Sequence, residues 1–181
     1  MRHFWFREET GDVSTFCCRT RPIANPAVTA IERFASSTEL AGRIESRDAI
    51  DAYNTECGGI IPDWHCDVLS RVPLCGVELE WPHPNHDGEF VGVEWMDVAN
   101  MRSEMLDCYP GMAIRPNGYV CIAGCALGSG DQYYICNADG DDPPVYQIYH
   151  DVSDVADEII SSGREIIFPK LSQLFEIARI A

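Results

Sequence analysis

The sequence predicts an α+β domain with a largely antiparallel (mixed) six-stranded sheet and helices before and after it. Three observations carry this. Helical spacing of apolar residues marks the stretch before residue 74 and again the end of the chain. Six strand-like runs lie between. Most of the later runs are joined by tight-turn signals, which suit antiparallel neighbours and are too short for parallel crossovers.

Taken in order, "HFWF" reads as a short strand and "PIANPAV" as a loop leading into a helix, with Pro26 in its first turn. Val28, Ile31, Phe34 and Ala35 continue that helix until "ASST" weakens the pattern. Ser46 caps a second helix, on which Ile50, Tyr53, Asn54 and Cys57 share a face before Gly58 and Gly59 end it. A third starts with Pro62 at its first position, presents Trp64, Val68, Leu69 and Val72 to the core, and stops at Pro73. Asp67 and Arg71 lie four apart on its other face.

"GVELEW" alternates strictly, with Val77, Leu79 and Trp81 on one side and Glu78 and Glu80 on the other, as in a half-buried strand. "PHPNHDG" is a loop, "FVGVEW" a second strand, and "DVANMRSEML" a short helix capped by Asp97. "MAIR", "YVCIAGCA", "QYYICNA" and "VYQIYH" complete the six strands, separated by "PNG", "GSGD" and "DGDDPP". Two helices close the chain. One spans about Ser153 to Gly163, and the other is "KLSQLFEIARIA", with Leu171, Leu174, Phe175 and Ala178 on one face. No internal repeat or low-complexity linker divides residues 1–181, which read as a single domain.

The charge is lopsided. Thirteen basic residues, of which only Lys170 is a lysine, stand against 29 acidic ones, for a net charge of −16. Such a surface disfavours nucleic acid and anionic lipid and attracts basic proteins. No apolar run approaches the roughly 20 residues of a membrane span. The first residues lack the apolar stretch of a secretory signal, so a cytoplasmic protein is expected. Nine cysteines without a CxxC pair suit a reducing compartment, where most would serve as small core residues.

Several segments mimic chemical motifs. "GSGD" at 128–131 has Tyr133 where a dinucleotide fingerprint needs its third glycine, and lacks the lysine of a phosphate loop, so it reads as a hairpin turn. Asn137, Asp139 and Asp141 occupy alternate positions of a calcium loop. Asp142 takes its glycine position, however, and Ile148 stands in place of its closing glutamate. His83, His86 and Asp87 have ligand chemistry and leave a metal-dependent hydrolase as a lesser alternative, but the prolines around them prevent the helix that would align the two imidazoles. His150 and Asp151 form a possible general-base pair with no recognised nucleophile motif. No catalytic, cofactor-binding or metal residues are therefore assigned. From Asp139 to Glu158 there are seven acids and no Lys or Arg. Within that stretch Asp139, Asp141, Asp142, Asp151 and Asp154 are the expected partner-binding residues.

The ordered set "IPDWHCDVLSRVPLCGVELEW", "YPG", "NGYVCIAGCALGSGDQYYI", "DPPVYQIYHD" and "PKLSQLFE" resembles the SUKH superfamily, which includes the Smi/Knr-like fungal cell-wall regulators. The matching elements are Pro62 and Trp64, the strand from Gly118 to Ile122, the Gly130–Asp131 turn, and Ser172 with Phe175. The resemblance covers residues 46–181 and leaves 1–45 as an extension without a match. It implies an α+β fold without catalytic activity or cofactor. For a bacterial member it implies an immunity protein that binds a toxin domain, often a nuclease. For the fungal branch it implies a regulatory scaffold. The family's toxin contacts are not a sequence motif, so the matched residues are scaffold positions.

Overall fold

The computed structural model describes residues 24–83 and 87–181. The "HFWF" run lies outside them. Seven helices and seven strands follow in the order α1 (Pro26–Ser37), α2 (Arg47–Glu56), α3 (Asp63–Arg71), β1 (Glu78–Pro82), β2 (Phe90–Trp95), α4 (Val98–Asp107), α5 (Gly111–Ile114), β3 (Tyr119–Cys125), β4 (Gln132–Cys136), β5 (Val145–Ile148), α6 (Ala156–Ser162), β6 (Arg164–Phe168), α7 (Leu171–Ile177) and β7 (Arg179–Ile180). The α+β class holds, with a seven-stranded sheet in place of the six strands expected. Its order is β6-β5-β4-β3-β2-β1-β7, and every pairing among the described residues is antiparallel.

Three differences account for the changed strand count. "MAIR" is not a strand. Its residues belong to α5 and the 3-10 turn after it, held by Met112 N–H to Cys108 C=O and Ile114 N–H to Pro110 C=O. Tertiary contact overrides the β-like composition there. Gly111 sits so tightly against the Glu104 main chain that a Cβ would collide with it, which fixes this segment beneath α4. The run after α6, "REIIF", is a full edge strand on β5, although its mixed burial gives no clean alternation. The terminal helix stops early, and Arg179–Ile180 pairs with β1.

The helix caps follow the sequence. Ser46 accepts from Ala49 N–H and Asp97 from Asn100 N–H, while Asn25 caps α1 through Val28 N–H. Pro62 stands one position earlier than expected, as the residue flanking α3. Arg71 pairs with Glu32 and Asp67 with Arg47, so the two residues on the outer face of α3 tie it to α1 and α2.

The sheet curls. Trp81 on β1 meets the ring of Phe168 on β6, 5.3 Å away, although four strands separate β1 from β6 in the sheet. One face is covered by α4, α5 and α6, with Cys121 and Tyr134 pointing toward α4. On the other, Trp95, Phe175 and Phe34 stack at 5.5 Å intervals and join β2 to α7 and α1. β3 is buried along most of its length because both its faces are covered. The first helix, which belongs to the unmatched extension, packs on α7 within the same apolar core.

Candidate functional site

The scaffold residues each have a physical task. Trp64 lies in the first turn of α3, with its ring edge-on to His65. Gly118 closes the 3-10 turn before β3 at φ 86°, a conformation that costs glycine little and other residues more. Gly130, at φ 84°, lies directly under the His150 imidazole, and a Cβ there would approach that ring to 3.2 Å. The next residue, Asp131, accepts from His150 main-chain N–H at 3.1 Å and meets its Nδ1 at 2.8 Å. The "GSGD" segment is thus the β3–β4 hairpin turn, and it clamps the end of β5.

This clamp changes the partner of His150. The sequence places Asp151 beside it, whereas the structure supplies Asp131 from the neighbouring hairpin. The Asp131 hydrogen bond raises the His150 pKa. Partial burial pushes Asp131 upward, but hydrogen bonds from His150 and Ser129 outweigh it, and the carboxyl titrates below its ordinary range. No nucleophile is hydrogen-bonded to the imidazole among the described residues.

The acidic stretch divides by the work its carboxylates already do. Asp139 accepts from the Tyr146 hydroxyl at 2.9 Å. Asp142 accepts from Ser172 N–H and from Ser172 Oγ, both at 2.8 Å, while Pro143 C=O accepts from Leu171 N–H. The β4–β5 connection therefore caps α7, satisfying helix-start donors that no local side chain reaches. Asp141, Asp151 and Asp154 are exposed and make no hydrogen bond or ion pair among the described residues. Asp141 shares a shallow cleft with Asp63, Trp64 and Asn137. Asp151 and Asp154 flank Val152, and Val155 follows; these two apolar side chains are 42% and 50% exposed.

The other candidates are placed as follows. Asn137, Asp139 and Asp141 span a 3-10 turn and the loop after it. His83 is half-buried at the end of β1 and donates its main-chain N–H to Glu89, Asp87 is exposed, and His86 lies outside the described residues. No group of three or more His, Cys, Asp or Glu that could hold a metal occurs among the described residues. Among the described residues no helix is long and apolar enough to cross a membrane. Of the seven described cysteines, five are buried, and none forms a disulfide.

Two features escaped the sequence reading. His65 is fully buried against Trp64 and Trp95 with neither ring nitrogen hydrogen-bonded among the described residues, and burial lowers its pKa to about 4. Its place, one residue after Trp64 at the same helical face as Val68 and Leu69, was the available signal. Glu104 is buried under β4 and accepts from the Tyr134 hydroxyl at 2.5 Å. Burial raises its pKa, and the tyrosine hydrogen bond opposes the rise. The sequence gives no comparable sign of that pair, because Glu104 stands on a helix among ordinary charged neighbours.

Comparison with family models, curated proteins and solved structures finds no match for the chain.

Proposed function

We propose that this chain is a non-enzymatic protein-binding domain, an immunity protein that neutralises a basic toxin domain of a polymorphic toxin system. One observation carries the reading: exposed Val152 and Val155 alternate with Asp151 and Asp154, whose carboxylates are committed to no partner among the described residues. An apolar anchor ringed by uncompensated charge has the make-up of a protein interface. The anchor supplies desolvated contact, and the charge steers a partner of opposite sign. The net charge of −16 extends the same preference over the whole surface. The SUKH resemblance supports it too, since its matched residues are occupied with holding the fold and leave the acidic surface for recognition. Inhibition would follow from occlusion of the toxin domain.

The experiment is capture on the immobilised full-length chain from the host that carries it, followed by identification of the bound protein. Recovery of a basic protein with a toxin domain supports the reading. A regulatory partner without a toxin domain would favour a scaffold of the Smi/Knr type. Failure to retain any basic protein would overturn the immunity reading, and failure to retain any protein would overturn both.

A further inference from the structure

The curl of the sheet leaves one end of its inner face uncovered by the described helices. There, Trp81, His83, Val91, Tyr133, Tyr149, Glu165 and Ile167 are among the residues lining a groove of about 260 Å³. Its walls come from opposite ends of the sheet, β1 and β2 on one side and β4 to β6 on the other, so the curvature itself creates it. Trp81 and Tyr133 meet edge-on at 6.1 Å and form an apolar floor. At the rim the Tyr149 hydroxyl donates to Glu165 Oε2 at 2.6 Å, while the second Glu165 oxygen makes no hydrogen bond among the described residues.

We propose that this groove receives an arginine side chain of a basic protein partner. The volume lies below the roughly 300–1,000 Å³ of sites for cofactors and drug-sized ligands, and suits one long side chain. An arginine is apolar along its stem and cationic at its tip. Its methylenes lie on Trp81, Val91 and Ile167, and its guanidinium reaches the rim. Tyr149 offers a ring face there, and Glu165 offers a carboxylate oxygen. A planar guanidinium uses both at once, by stacking on the ring and by a charge-assisted hydrogen bond, where a lysine ammonium is a compact point charge that cannot stack. The chain beyond Tyr149 agrees in sign, because Asp131 pairs with His150 and leaves Asp151 and Asp154 as unpaired acids among the described residues.

This deepens the reading of a basic partner, on which it rests, and its test does not need that partner. The isotopically labelled full chain is titrated with N-acetyl-arginine amide, with N-acetyl-citrulline amide as the uncharged isostere, and chemical shifts are followed. The expected result is saturable shifts at the Trp81 indole and at the amides of Tyr149, Glu165 and Ile167 with arginine. Citrulline, and arginine added to the Glu165→Gln variant, should each bind about two- to fivefold more weakly. Glu165 is exposed, so this variant keeps its fold. Equal affinity for both probes, an unaffected variant, absent shifts, or unsaturable shifts spread over the acidic surface would each overturn the proposal. Failure here would leave the captured partner standing, and failure of the capture would leave a measurable arginine groove.

Discussion

The connection from β4 to β5 and the connection from β5 to α6 look alike in sequence, each a polar loop with three or two aspartates, yet they do different work. In the first, Asp139 holds Tyr146 and Asp142 caps α7 through two hydrogen bonds to Ser172. Only Asp141 faces outward without a partner among the described residues. In the second, Asp151 and Asp154 are both without a partner among the described residues, and Val152 between them and Val155 beside them are exposed. A run of acids is therefore two populations, one hydrogen-bonded within the scaffold and one without a partner among the described residues. Substituting Asp139, Asp141 and Asp142 together would mix the two, because loss of fold and loss of binding would arrive at once.

The contrast is cleanest at acidic pH once the largest titrating core group is removed. The fold accommodates His65 as neutral imidazole. Its contribution is therefore complete above pH 6.5, the ordinary value, and is lost as pH falls through about 4. That difference is worth about 3 kcal/mol. Urea unfolding between pH 7 and pH 4 should show wild type losing about that much more stability than His65→Leu. Parallel curves for the two proteins would place the acid sensitivity in the carboxylates instead.

Next in size is the direct comparison within one loop. Asp142→Ala should lower stability by about 2 kcal/mol, through lost capping and charge-assisted hydrogen bonds. Asp141→Ala should stay within about 0.5 kcal/mol of wild type. Similar losses from both would erase the division drawn above.

A smaller effect, read as a titration midpoint, tests the clamp that links the hairpin turn to the start of the second connection. The raised His150 pKa means that its side of the pair is fully present below the ordinary 6.5 and fades as pH rises through the folded value. The lowered Asp131 pKa means that its side is present above the ordinary 3.8 and fades as pH falls through the folded value. Both groups are charged between those limits. Asp131→Asn should move the His150 midpoint, followed by NMR, back down toward 6.5; Asp151→Asn should move it much less. The reverse ranking would restore the His150–Asp151 pairing suggested by adjacency.

How much of this was legible depended on whether local or distant contacts decide. Ser46 and Asp97 act on donors three residues away, and Leu79 and Trp81 obey a two-residue period, so both could be read directly. "MAIR" could not, because its conformation depends on Gly111 pressing against Glu104, and apolar composition alone does not separate a helical turn from a short strand. "REIIF" escaped for a related reason: as an edge strand of a curled sheet it exposes Ile166 and buries Phe168, which hides the alternation. The acidic segment was visible as charge. The division of labour within it was not, because Asp142 finds Ser172 thirty residues away and Asp131 finds His150 nineteen residues away.

The central claim is that the uncommitted acids beside Val152 and Val155 recruit a basic protein. Its most direct test is the association rate of the captured partner, measured over a range of salt concentration, with wild type and with the Asp151→Asn/Asp154→Asn double variant. The account predicts a slower rate and a shallower salt dependence for the variant, at unchanged stability. Identical rates and slopes for the two proteins would contradict it.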